Sequence, residues 1–514
     1  MNRKIGVIYS YVLMFVEVIS AMLFTPFLIR MLGQSQYAVY QLTSQISSYL
    51  MLLDLGVGSA VIRYMAKFRA DNDKEKQEEF LGIATVFYLA IAAIAVIIGI
   101  VLVIILPTAF AKGLTPEEIK LSQKMLCVTM LTCAVTLGTS SFATTLMAYE
   151  RFSFSKGLSI VCSVLKVVIS ITALALGVKA LGVVIIYFAL NLLTRLAYTF
   201  YVLFKLKIKP KFKNPDISFI KETVTYSSFV FLQMLATQIN SMTDTVLLGI
   251  LAKGSSAIIA IYGVGSQIIQ YFETIGSHFN GVLMAGVVRM VENGAKSKEL
   301  QNEMVRIGRI IFMMLGMVFA VFIANGKHFM VLWAGEDYAK SYYVAVAIMA
   351  PKMFAIVQSI GNQILWAMNR HKGQAIVQVV AALVNIVLTA ILISWKPLEG
   401  AVIGSVIALT VGNVVCMNIM FKKEIGISLT EYYLGLFKGI LPSLLICFVS
   451  AKLFTLVGLS QHGWLGFVIN CAVAVALYGV CMLAFGMNKS EKNLVFGLFN
   501  KLLRKTNLVK DKGE

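Results

Sequence analysis

Long apolar blocks constrain this chain more than any other feature. Blocks of about 20 or more mainly apolar residues recur from Ile5–Ile29 to Trp464–Phe485. A helix of about 20 residues crosses a hydrocarbon layer roughly 30 Å thick, and there every backbone N–H and C=O must be paired inside the protein. Consecutive blocks of this length predict an all-α, polytopic integral membrane protein. Composition agrees: 59% of residues are hydrophobic and 14% charged, against about 45–50% and roughly 25% in a soluble domain. The first block is too long for a cleavable signal and no small-residue cleavage site follows it, so it reads as a permanent span. The seven cysteines all fall inside apolar blocks without CxxC or Cys/His spacing, which predicts small buried side chains.

Fourteen spans can be read. The first six are Ile5–Ile29, Tyr37–Ile62, Phe80–Leu106, Met125–Met147, Leu158–Val178 and Val183–Phe204. The next six are Thr223–Leu251, Ile258–Val288, Ile310–Ala324 (short, with room to start earlier), Tyr343–Met368, Ile376–Trp395 and Ala401–Phe421. Leu434–Val457 and Trp464–Phe485 complete the set. With this alternation, 31 Lys and Arg fall on one side and 9 on the other. The positive-inside rule then puts both termini in the cytoplasm. The net charge of +20 is accounted for by these short connections, so it does not imply a nucleic-acid partner. The tail interleaves Leu494, Leu498, Phe499, Leu502 and Leu503 with Lys492, Lys501, Arg504 and Lys505. It reads as a basic amphipathic segment on anionic membrane lipid. No connection is long enough for a soluble catalytic domain and no GxxxxGK[ST] loop occurs, so neither an enzyme nor a cofactor is expected, and ATP is not the direct energy source.

The chain also resembles itself. Asp54 and Glu273, Glu117-Glu118 and Glu336-Asp337, and Arg151 and Arg370 all lie 219 residues apart. The expected organisation is an N-terminal six-helix half (1–212), a C-terminal six-helix half (213–425), two additional helices (426–488) and the basic tail (489–514). An even number of spans returns the chain to its starting side. The halves should therefore share one orientation and rock about a central cavity, which is the frame of an alternating-access transporter.

Ionisable groups inside a membrane are expensive and point to a cavity or a partner. The bases are Lys166, Arg195 and Lys352; the acids are Glu17, Asp54, Asp244 and Glu273. Several continue a polar row at helical spacing. Ser159, Ser163, Lys166 and Ser170 form one row, and Tyr187, Asn191, Arg195 and Tyr198 another. Gln233, Thr237, Asn240 and Asp244, then Gln267, Gln270, Glu273 and Ser277, do the same. Such rows suit a wet cavity lining; the alternative is pairing between helices, for instance Glu17 or Asp244 against Arg195. Arg and Lys together suit a diphosphate, with Asn191, Gln233 and Asn240 among the polar contacts. The acids would balance that charge or hold a coupling cation. Gly56-Val57-Gly58 reads as helix packing, not a phosphate loop.

Thr25-Pro26-Phe27-Leu28-Ile29-Arg30-Met31-Leu32-Gly33, then Tyr37, Tyr40, Leu53-Asp54-Leu55-Gly56 and Arg63, resemble the opening signature of Wzx-type polysaccharide export flippases. These belong to the multidrug/oligosaccharidyl-lipid/polysaccharide (MOP) exporter superfamily. Asp244–Gly249, Tyr262 and Leu332-Trp333-Ala334-Gly335-Glu336-Asp337-Tyr338 look like that family's second repeat. Ala38 and Thr245 depart from it, where Gly and a basic residue are common. The resemblance implies transfer of undecaprenyl-diphosphate-linked sugar units to the outer leaflet of a bacterial cytoplasmic membrane. It also implies a cationic cavity and, in some members, coupling to an ion gradient. Polysaccharide polymerases and glycosyltransferases would be its working partners. A cation-coupled multidrug exporter of the same superfamily, a cell-wall or teichoic-type flippase and, more remotely, a membrane polymerase are the competing readings.

Overall fold

The computed structural model describes residues 3–212, 238, 243–493 except 55, 255, 369 and 457–462, and 496–497. Most of the predicted seventh span, including Gln233 and Asn240, and most of the basic tail lie outside the described residues. Among the described residues the chain is helical and no strand forms.

The first half contributes α1 (Arg3–Met51), α2 (Val57–Ala70), α3 (Lys74–Ala109), α4 (Pro116–Gly138), α5 (Ser140–Ala148), α6 (Phe152–Ala175) and α7 (Ala180–Phe200). Residues 243–251 are helical and precede α8 (Ser256–Glu292), α9 (Ser297–Ala334), α10 (Ser341–Val357), α11 (Ser359–Ala367), α12 (His371–Ile393) and α13 (Pro397–Ala408). The chain continues with α14 (Met417–Glu424), α15 (Leu429–Phe437), α16 (Ile440–Leu456) and α17 (Gly463–Cys481). Among the described residues ten helices are long and apolar enough to cross a membrane, or eleven if the bent pair α15–α16 is one span. The short ninth span does start earlier, as part of α9.

Local chemistry sets the boundaries. Gly33, at φ 69°, interrupts α1 between the first two predicted spans. Asp73 caps α3 by accepting from the Lys76 amide at 3.0 Å. Thr115 and Glu118 form a reciprocal capping box on α4, with Pro116 in its first turn. Thr139 breaks α4 from α5 and Gln358 breaks α10 from α11, both with ψ 4° and 219 residues apart.

The chain divides into two compact units. The first comprises Met1–Gly263 with Gln378–Ser405, and the second Val264–Val377 with Val406–Glu514. In the first, α1 packs on α4 and α6, and α4 on α3 and α7. Its buried core joins Val61 and Met65 of α2, Leu81 and Tyr88 of α3, and Leu137 and Leu146 of α4 and α5. Gly58 allows the close approach: a Cβ there would lie 3.2 Å from the Thr144 methyl. Outward, α3 exposes Leu89, Ile94, Ile97, Val101 and Ile104, as a lipid-facing helix should.

In the second unit α9 is the hub, packed by α10, α15, α16 and α17. Gly439, at φ 77°, bends the chain by 46° between α15 and α16. Such a break frees carbonyls that would otherwise be bonded in the helix. Arg309 of α9, buried, answers them: its guanidinium donates to the carbonyls of Gly435 (2.9 Å), Lys438 (2.7 Å) and Gly486 (3.0 Å). The same fork holds the Glu491 carboxylate at 2.6 and 3.1 Å. From sequence Arg309 counted only as a loop-side topology charge; its partners are more than a hundred residues away and left no local signal.

Candidate substrate and charge-coupling site

The polar row on α7 is one continuous edge. Tyr187, Asn191, Arg195 and Tyr198 follow at one-turn spacing over about 16 Å of helix. Each meets a polar group from another helix. Tyr198 donates to the Ser155 carbonyl at 2.9 Å and its hydroxyl pairs with Ser159 at 3.0 Å, both on α6. Asn191 accepts from Thr136 of α4 at 3.1 Å. The Lys166 ammonium of α6 lies 3.5 Å from the centre of the Tyr187 ring, a cation–π contact that supports a buried charge without neutralising it. The Tyr187 hydroxyl is paired with Tyr40 of α1, and Glu17, exposed on the same helix, exerts its charge on Lys166.

At the other end of the row, Arg195 lies within the field of Asp54. Asp54 closes the short 3₁₀ turn Leu52–Asp54, where the chain leaves α1, and Gly56, at φ 71°, turns it into α2. That turn presents the carboxylate to the Gly56 amide, the Tyr88 hydroxyl of α3 and the field of Arg195. Among the described residues no carboxylate comes within 4.0 Å of the Arg195 guanidinium. Lys166, Asn191, Arg195 and Asp54 thus share one polar edge of the first unit.

Lys352 and Glu273 belong to the second unit. Lys352 of α10 contacts Glu273 of α8 at 2.5 Å, with side chains 12% and 32% exposed. Lys352 is therefore engaged by a carboxylate, which sequence spacing did not foresee.

Asp244 has a third environment. It is 4% exposed and accepts from the Tyr262 and Ser405 hydroxyls. Ser405 also reaches the Asn385 side-chain oxygen at 3.4 Å, and Thr389 donates to that oxygen at 3.0 Å. Of the acids offered as alternatives for pairing with Arg195, Asp244 is held in this hydroxyl cluster. Ser405 was not singled out in the sequence: one serine in the block Ala401–Leu409 carries no periodic signal. Among the described residues no group of three or more His, Cys, Asp or Glu could hold a metal ion. Of the remaining site candidates, Gln233 and Asn240 lie outside the described residues.

A family model described as "Polysaccharide biosynthesis protein" matches residues 5–284, more than half of the chain and all of the Lys166–Arg195–Asp54 edge. The chain belongs to the polysaccharide biosynthesis protein family. No curated protein matches it. Among solved structures, this family member is similar to the lipid II flippase MurJ in an inward closed conformation. The TM-score is 0.71 at 13% identity, covering 93% of this chain and 97% of that one. It is also similar to an inward-facing MATE family multidrug resistance transporter of the MOP superfamily. There the TM-score is 0.65 at 12% identity, with 80% and 94% covered. The MATE transporter DinF-BH in complex with R6G follows, with a TM-score of 0.58 at 15% identity and 81% and 94% covered. These likenesses show the fold alone, that of a polytopic helical membrane protein.

Proposed function

We propose that this chain is a flippase that carries undecaprenyl-diphosphate-linked oligosaccharide units from the cytoplasmic to the outer leaflet of a bacterial cytoplasmic membrane, by alternating access. Its product would feed capsule, O-antigen or exopolysaccharide assembly, beside glycosyltransferases and a polymerase. The Lys and Arg distribution supports cytoplasmic termini. The observation that carries the reading is the edge of α7. Among the described residues no carboxylate lies within 4.0 Å of the Arg195 fork, and the Lys166 ammonium rests over the Tyr187 ring. Two such cations on one polar edge suit a diphosphate, with Asn191 as a neutral contact; Gln233 and Asn240 belong to the same proposal from their helical spacing.

Lys352 joins as a base governed by Glu273. Capture of a cation by Glu273 would release Lys352 for an anionic substrate. Glu17, Asp54 and Asp244 are assigned charge-balancing or coupling roles, Asp244 within its hydroxyl cluster. The membrane potential, negative inside, is worth about 2.3 kcal/mol per charge per 100 mV. Outward movement of an uncompensated doubly charged diphosphate is then favoured by roughly 4–5 kcal/mol per 100 mV. A multidrug exporter would instead present an open carboxylate to an organic cation, whereas Asp244 and Glu273 are both engaged.

The test is polymer export in a deletion strain complemented with Arg195→Gln. Loss of surface polysaccharide, with the variant at wild-type level in the membrane, is the expected result. Normal export would remove Arg195 from the mechanism.

A further inference from the structure

A second basic feature lies past the Tyr198 end of the α7 row, where several helix ends meet. The last turn of α2, the turn between α5 and α6, and the π-helical turn Tyr201–Lys205 that ends α7 enclose a pocket of about 280 Å³. Its lining is Arg69, Tyr149, Glu150, Arg151, Ser153, Phe154 and Tyr201. Arg69 donates to the Ala148 carbonyl at 3.0 Å and its guanidinium lies 4.9 Å from the Tyr149 ring centre. Phe154 and Tyr201 stack at 4.2 Å, and the Lys205 ammonium lies 5.2 Å from the Tyr201 ring centre. Phe200 and Phe204, stacked at 4.9 Å, are exposed beside it. Aromatic rings beside bases at span ends are the composition of a membrane–water interface.

The internal repeat supplies a control. Arg370, which matches Arg151, is held by the Glu424 carboxylate at 3.1 Å and by the Glu424 carbonyl at 2.8 Å. At the place of Glu424 the first half has Lys205. The acid that pins Arg370 is therefore replaced by a third base. The positions matching Arg69, Tyr149, Phe154 and Tyr201 are Val288, Met368, Gly373 and Met420. Helix packing common to both repeats does not require Arg69 and three aromatic rings here, since the second repeat keeps only Arg370 of this set. Glu150 is the one carboxylate in the lining, so the pocket and Lys205 together carry a positive excess.

We propose that this pocket binds the phosphate group of an anionic lipid at the membrane surface, through Arg69 and Arg151. Guanidinium forks match phosphate oxygens, the pocket is near the lower end of ligand-site volumes, roughly 300 Å³, and Phe154, Tyr201 and the exposed Phe200–Phe204 pair lie where a glycerol backbone and acyl chains would run. Phe154 touches Tyr198 at the end of the α7 row, but neither Arg69 nor Arg151 belongs to that row, so the proposal stands or falls without the transport reading. The same chemistry would accept a free diphosphate, and the experiment separates the two sources.

The full-length protein, purified in neutral detergent with phosphatidylcholine, is titrated with phosphatidylglycerol and retention is read by native mass spectrometry. Wild type should retain phosphatidylglycerol in preference to phosphatidylcholine. Arg69→Gln/Arg151→Gln should weaken that retention by about tenfold or more, while Arg370→Gln should not change it. Should the double variant unfold early because Arg69 no longer holds Ala148, Arg151→Gln alone carries the test, and Glu150→Gln must shift retention the opposite way. Displacement of the lipid by inorganic pyrophosphate would make the site a general phosphate site; no displacement would make it specific to the lipid headgroup. Equal retention by wild type, Arg151→Gln and Glu150→Gln would overturn the proposal.

Discussion

Asp54 and Glu273 occupy the same place in the two repeats, yet the chain builds two different sites around them. The residue two places on decides the backbone. In the first half it is Gly56, which adopts φ 71° and breaks the chain between α1 and α2. In the second it is Ile275, whose branched side chain disfavours that conformation, and α8 runs on through Glu273. The break turns Asp54 toward an amide and a tyrosine hydroxyl, with Arg195 near but not clamped. The unbroken helix leaves Glu273 against Lys352 at 2.5 Å. One ancestral-looking position thus yields an acid that leaves a cation available and an acid that occupies one.

The largest effect that would break this comparison is at the cations. Arg195→Gln should reduce transport by about 100-fold, the cost of losing charge-assisted hydrogen bonds worth roughly 1.5–3 kcal/mol, as measured by substrate flipping at matched protein level. Lys352→Gln should reduce it less, since Lys352 divides its time with Glu273. Equal losses would mean that the two bases do the same job.

Next in size is the backbone difference. Gly56→Ala forces a side chain into the left-handed region and should cost about 1–2 kcal/mol, seen as a lower Tm together with reduced transport. Ile275→Gly should cost about 1 kcal/mol as a glycine inside a helix, with transport kept. If Ile275→Gly impaired transport as severely, the turn at Gly56 would not be what distinguishes Asp54.

Smaller still is Glu273→Gln. Both partners retain some exposure, so the change in stability should stay within about 1 kcal/mol. Its informative readout is the dependence of transport on added cation, which should flatten, because Lys352 is no longer held by a carboxylate that a cation must occupy. An unchanged dependence would assign cation coupling elsewhere. The smallest shift is expected from Ser405→Ala, which removes one of two hydroxyls from Asp244 and should cost about 1 kcal/mol, read by thermal unfolding.

Span lengths and the α7 row were legible because each is periodic and local. Tyr187, Asn191, Arg195 and Tyr198 could be placed on one edge from the 3.6-residue turn alone. Partners could not be read in this way. Which acid's field reaches Arg195, that Lys352 meets Glu273, and that Arg309 ties the α15–α16 bend to Glu491 depend on contacts across 79 to 182 residues. The Gly56 break was half visible: the glycine was noted, but its left-handed conformation follows from the turn into α2, not from the Gly-Val-Gly spelling. Ser405 gave no sign, since a single hydroxyl in an apolar helix looks the same whether it faces lipid, backbone or a carboxylate.

The central claim is that Arg195 and Lys166 read a diphosphate. It is tested most directly by reconstituting the protein in liposomes and comparing flipping of an undecaprenyl-linked saccharide carrying a diphosphate with the same saccharide on a monophosphate. The account predicts that wild type prefers the diphosphate and that Arg195→Gln loses the preference along with most of the rate. A wild type that moves both alike, or a variant that keeps the preference, would contradict it.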